Sequence, residues 1–212
     1  MFNGCPLSHV CQGICDLRVH GKRTSGDISH SDVNSQSNGY LRRDLGASMA
    51  EYRYISWPEY GNLAEALAEK VRSEGKRFDL VIGIARGGMP VAMVVSDHLD
   101  VRIDFINVKS YVGIAERGTP KILSTVTEDV RGKNVLIVDD LVDQGDTMHV
   151  VKEYLRGQGP SLLEVAVLFK KPWSKFEPDY YLDVVDRWVV FPFELSEVNR
   201  LRVANGEAPR VK

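Results

Sequence analysis

Residues 134–139 read NVLIVD, an all-apolar run rich in β-branched residues that ends directly on carboxylates. A strand with no polar face must be covered on both sides, and that places it inside a parallel sheet with helices packed on each face. Residues 78–85 (FDLVIGIA), 101–108 and 162–169 (LLEVAVLF) share this short apolar texture, and residues 180–185 read as a further strand. Helical patterns fill the intervals at 60–74, 90–98 and 147–155. Strands that alternate with helices predict an α/β fold with a mainly parallel sheet and right-handed crossovers. In such sheets ligands bind beyond the carboxyl ends of the strands.

The chain before residue 49 is a different material. Residues 1–48 hold seven Ser and six Gly but only two aromatics, Phe2 and Tyr40, and show no helical or alternating period. They are expected to be a disordered leader or a non-native extension. Cys5, Cys11 and Cys15 all fall there, without the spacing of a paired-cysteine zinc module. The folded domain is expected over 49–200, followed by a polar tail at 201–212. With 27 basic against 29 acidic residues the formal charge is −2, so no general positive field exists to hold nucleic acid or an anionic membrane. An anionic ligand must be gripped locally. No apolar run reaches the roughly 18 residues of a membrane-spanning helix, and a cytoplasmic location is expected.

After the strand come Asp139, Asp140, Leu141, Val142, Asp143, Gln144, Gly145, Asp146 and Thr147. A glycine turn running into a helix N-terminus offers unpaired backbone N–H groups, and the Thr147 hydroxyl adds a donor; together they can cradle a phosphate monoester. Neighbouring carboxylates suit sugar hydroxyls, hydrated magnesium or a proton to be abstracted. The competing reading is a solvated acidic turn that caps the helix. Two adjacent carboxylates at the end of an apolar strand are costly, however, unless something binds both.

VLIVDDLVDQGDT resembles the signature of the type I phosphoribosyltransferases along its whole length. The resemblance implies a Rossmann-like core with a small C-terminal hood, mainly 171–194, binding phosphoribosyl pyrophosphate (PRPP) and magnesium. It implies that Asp139 and Asp140 hold the ribose hydroxyls and the magnesium, directly or through water. Asp143, Gln144, Gly145, Asp146 and Thr147 would wrap the 5-phosphate, with Asp143 also the general base. Gln144 stands where Thr or Ser is usual, and Asp146 adds a negative charge near a dianion. Arg86, Gly87 and Gly88 resemble the pyrophosphate loop, with a cis peptide expected between Ala85 and Arg86, and Ser110–Tyr111 resemble the start of a catalytic lid.

The C-terminal third is similar to the hood of the xanthine–guanine and hypoxanthine–guanine phosphoribosyltransferases. Lys171, just before Pro172, would donate to the purine 6-oxygen, Trp188 would stack on the base, and the Val189 backbone would read position 2 of the ring. A lysine ammonium is a donor only, so it favours a 6-oxo group over the 6-amino group of adenine. The expected activity is transfer of phosphoribosyl from PRPP to a 6-oxopurine in purine salvage, by a homo-oligomer (dimer or tetramer). The alternatives are a non-catalytic regulator that senses PRPP or purines, and transfer to adenine or a pyrimidine.

Overall fold

The computed structural model describes residues 52–110 and 120–210; the expectations for residues 1–48 and for Tyr111 fall outside them. The elements run β1 (Tyr52–Tyr54), α1 (Trp57–Ser73), β2 (Leu80–Ala85), α2 (Gly88–Leu99), β3 (Arg102–Ser110), β4 (Pro120–Ser124), β5 (Asn134–Val142), α3 (Asp146–Arg156), β6 (Leu162–Lys170), β7 (Tyr180–Val184), β8 (Trp188–Val190) and α4 (Leu195–Ala204). Six strands form one sheet in the order β4-β3-β2-β5-β6-β7, parallel except for the β3–β4 pair, and β1 and β8 form a separate parallel pair. This is the expected α/β architecture, with helices on both faces of a mainly parallel sheet.

Period-two alternation divides the core. Leu136 and Val138 of β5 face one side with Ala166 and Leu168, packed under α1 and α2 through Leu67, Val71, Val91 and Val95. Val135 and Ile137 face the other with Val165 and Val167, covered by Met148, Val151 and Leu155 of α3. Both faces of β5 are therefore dry, which is why its sequence shows no polar alternation.

Some elements differ from expectation. α1 begins at Trp57 because Ser56 caps it, its hydroxyl accepting from the Glu59 N–H at 3.3 Å, with Pro58 in the first turn. β4, Pro120–Ser124, is an edge strand without a counterpart in the sequence reading, and its Pro120 is tolerated because it is the first residue of that edge strand. The segment 171–194 is divided: β7 joins the main sheet as its edge, while β8 pairs with β1, Tyr52 opposite Trp188. α4 continues past Arg200, where a polar tail was expected to begin. Arg202 is buried and donates to the Ala208 carbonyl at 3.0 Å, and Asn199 and Arg210 exchange hydrogen bonds at 3.0 and 2.9 Å.

Candidate active site

β2 is the strand at which the sheet order reverses, since the chain proceeds outward through β3 on one side and through β5, β6 and β7 on the other. β2 and β5 pair only as far as Gly83 opposite Val138, whereas β5 stays paired with β6 to Val142 opposite Lys170. Beyond Val138 the two central strands are no longer laddered together, and this opening at the carboxyl ends is where α/β sheets take ligands. Two of the expected sites meet in it. The loop after β2 carries Arg86 and Gly87, Gly88 opens α2, and β5 carries Asp139 and Asp140 through the same level. The Ala85–Arg86 peptide is cis, as the resemblance implied. A Cβ on Gly87 would overlap the Asp140 carboxylate, and one on Gly88 would lie 2.5 Å from the Val138 carbonyl oxygen and 2.9 Å from Asp139 Cα. The two glycines let the loop backbone close onto the acidic pair.

The acidic pair lies inside β5, not after it, because β6 continues to pair alongside. Burial pushes the carboxyls of Asp139 and Asp140 above the usual carboxylate range, and the charges of Asp139 and Glu194 push Asp140 further. The Asp140 N–H donates to Asp139 Oδ1 at 3.0 Å and opposes the shift of Asp139. Glu194 is itself raised by burial and by Glu197, while its Oε2 accepts from the Phe191 N–H at 3.1 Å. Arg86 faces this group from a largely exposed position, with its guanidinium 3.4 Å from Glu197 Oε2. Tyr60, edge-on to Phe191 and Phe193, carries a buried hydroxyl that burial and the Asp140 charge push upward.

Raised carboxyls mean that the folded chain holds protons the unfolded chain has released, so their contribution to stability is present at low pH and is lost as pH rises through the raised values. Asp140→Asn removes one charge from the cluster. Scanning calorimetry of the ligand-free protein near neutral pH is expected to show Tm up by about 2–4 °C, equal to about 1 kcal/mol for a domain of this size, with the gain shrinking toward pH 4. An unchanged Tm at both pH values would show that the pair carries no such cost.

The turn expected to hold the phosphate is braced from one side. Gly145, at φ +97°, caps α3, and a Cβ there would strike Phe176. The Lys171 N–H donates to the Val142 carbonyl at 2.9 Å and the Lys175 N–H to the Gln144 carbonyl at 3.1 Å. Residues 171–176 thus run along the whole 142–145 turn. Gln144 and Thr147 are half-buried, and Asp146 is exposed as the first residue of α3, where a carboxylate favours the helix N-terminus.

The same segment brings the base-reading candidates to this loop. Lys171 is only 6% exposed, and its ammonium donates to the Arg187 carbonyl. Burial lowers it from the ordinary lysine value, opposed by the charges of Asp143 and Asp186. Trp173, a residue without an expected role, donates its indole N–H to Asp143 Oδ1 at 2.7 Å and lies with its ring 5.3 Å from the Lys171 ammonium. Arg86, Gly87 and Gly88 are thus gathered with Asp139 and Asp140, and Lys171 with Asp143. Trp188 and Val189 sit on β8 beside β1, Trp188 half-buried and Val189 buried. Ser110 ends β3, its backbone paired with Pro120.

The opening at the switch point, lined by the Gly87–Gly88 backbone, the Asp139–Asp140 pair and the Gly145 turn that caps α3, belongs to an α/β protein that takes its ligand at the carboxyl end of the sheet. Residues 54–199 match the phosphoribosyl transferase domain model, and the chain belongs to that family. It is 34% identical over 152 residues to a xanthine-guanine phosphoribosyltransferase from Cereibacter sphaeroides, covering 68% of this chain and 87% of that protein. Among solved structures it is similar to a purine phosphoribosyltransferase from Pyrococcus horikoshii, with TM-score 0.61, 37% identity and coverage of 68% of this chain and 94% of that one. A hypothetical protein from Neisseria gonorrhoeae solved with bound ppGpp has TM-score 0.62, 29% identity and coverage of 73% and 97%.

Proposed function

We propose that this enzyme transfers the 5-phosphoribosyl group of PRPP to a 6-oxopurine, releasing pyrophosphate and forming the nucleoside 5-monophosphate with inversion at the ribosyl carbon. It is a purine phosphoribosyltransferase of salvage metabolism. The observation that carries the choice of acceptor is the pairing of opposite hydrogen-bonding characters around Trp173. Lys171 is a donor only, and Asp143 an acceptor. A 6-oxopurine that attacks the ribosyl carbon through N9 presents the complement on one edge, an acceptor at O6 and a proton to be lost at N7. Adenine would place its amino donor against the ammonium.

In this reading Asp143 takes the N7 proton, Lys171 polarises the ring through O6, and Trp188 and the Val189 backbone hold the base. The ribose hydroxyls rest on Asp139 and Asp140, and the 5-phosphate on the turn from Asp143 through Gln144, Gly145 and Asp146 to Thr147. Arg86, with the N–H groups of Gly87 and Gly88, receives the departing diphosphate. Magnesium fits this acidic pair: both ligands are hard oxygens, their crowded charge favours a cation, and the described residues hold no cluster of three or more potential ligands that would cage a metal without substrate oxygens. Asp139 and Asp140 would hold it, through water, and when bound it supplies charge neutralisation to the diphosphate.

The test is pyrophosphate release from PRPP and magnesium by the purified protein, with guanine, xanthine, hypoxanthine, adenine, uracil and orotate offered singly. Release is expected with 6-oxopurines alone. Release with adenine or a pyrimidine would overturn the acceptor assignment, and silence with every base alongside measurable PRPP binding would establish a regulator.

A further inference from the structure

We infer that Trp173 is a positioning residue for Asp143, fixing the carboxylate through its indole N–H while its ring face seats the Lys171 ammonium, so that acceptor and donor meet the purine edge at a set separation. The inference rests on the proposed phosphoribosyl transfer. An indole N–H is a donor with no acceptor capacity, so it can bind Asp143 only as a hydrogen-bond acceptor, and it reaches Oδ1 at 2.7 Å. That contact occupies one carboxylate oxygen and leaves the other for the substrate proton. Without it, a short side chain on a turn after a strand has free rotation about χ1 and χ2 at the place where the base must be met at hydrogen-bond distance. The ring face, 5.3 Å from the Lys171 ammonium, attracts the cation, which also donates to the Arg187 carbonyl.

The backbone holds Trp173 ready for this. The Lys171 N–H is tied to Val142, the Ser174 N–H closes a turn onto the Lys171 carbonyl at 3.0 Å, and the Lys175 N–H is tied to Gln144. Trp173 is the residue in the middle of that turn, three residues of which are anchored to the phosphate loop or to one another. It is 51% exposed, so burial alone does not account for its contact with Asp143.

The experiment is a double-mutant cycle of Trp173→Phe and Asp143→Asn, read as kcat and as the KM for PRPP and for guanine, on the full chain. Trp173→Phe keeps an aromatic ring and deletes the donor. It is expected to lower kcat about 10-fold, to leave the PRPP KM within about twofold, and to change kcat less than about twofold in the Asp143→Asn background. Equal losses in both backgrounds, or no loss in either, would overturn the inference. An indole ¹⁵N–¹H spectrum supplies a readout that does not need turnover. The chain has three tryptophans, so the Trp173 resonance is the one missing in Trp173→Phe, and it is expected to move in Asp143→Ala, which deletes the acceptor, while the other two stay. A resonance that does not move would show that no hydrogen bond exists in solution and overturn the inference while the transferase reading stands. A wild-type protein silent with every base, despite the expected spectrum, would overturn the transferase reading and the positioning role with it.

Discussion

Asp143→Ala is expected to lower kcat for a 6-oxopurine by about 10²-fold or more with PRPP binding retained, the usual size of general-base assistance. The substitution leaves the floor of the phosphate turn intact, because that turn is held by backbone bonds from Lys171 and Lys175 and by the contact of Gly145 with Phe176, none of which uses the Asp143 side chain. The loss should therefore fall on the chemical step. Two groups would also change partners: the Trp173 indole loses its acceptor, and the Lys171 ammonium loses a neighbouring negative charge that supports its protonated form. Titration calorimetry with PRPP and steady-state turnover separate the two effects. Wild-type turnover in this variant would remove Asp143 from the reaction, and loss of PRPP binding would make it part of the phosphate grip instead.

Gly88→Ala is expected to damage the site through backbone alone. The added carbon would lie 2.5 Å from the Val138 carbonyl oxygen and 2.9 Å from Asp139 Cα. Both are backbone atoms of a strand laddered to its neighbours, and neither can rotate away. The loop of Arg86 must then retreat from the acidic pair, so activity is expected to fall by about 10²-fold, since displacements near 1 Å at a reacting site have that effect. Overpacking of this kind costs about 1–3 kcal/mol, read as a Tm drop of about 2–4 °C for each kcal/mol. Gly61→Ala is the control. Nothing lies within 4 Å of its added carbon, and it sits on an exposed turn of α1, where alanine is the better helix former. Comparable losses in both variants would mean that the close approach at Gly88 is unimportant.

The chemistry that was legible in the sequence is the chemistry carried by contiguous residues. Asp139 through Thr147 is one strand end, one turn and one helix start, and its register comes from the apolar run before it. Arg86, Gly87 and Gly88 stand likewise directly after β2. The features that stayed hidden depend on residues far apart in the chain. Glu194 raises Asp140 across more than fifty positions, and Tyr60 approaches the same carboxylate from α1. β1 and β8 have three residues each, too few to show a period, and exist because each pairs with the other. α4 escaped for a different reason: its buried residues are Val198 and Arg202, four apart, and a helix that buries an arginine reads as polar. Trp173 could have been suspected from its place two residues after Lys171, but its bond to Asp143 comes from the turn that folds this segment against the phosphate loop.

The parting of β2 from β5 beyond Val138 also divides labour within the substrate. In the proposed reaction the leaving group is met by β2 and its loop, the sugar and its phosphate by β5 and α3, and the acceptor by the chain beyond β6. Apart from Asp143, which serves both, the segments assigned to donor and acceptor are consecutive in the chain, those of the acceptor lying after Lys170. Such a layout makes acceptor choice a separable trait. Drift or design among the side chains of residues 177–193, with the backbone brace of Lys171 and Lys175 on the 142–145 turn kept, would retarget the nucleobase while the donor side is inherited unchanged.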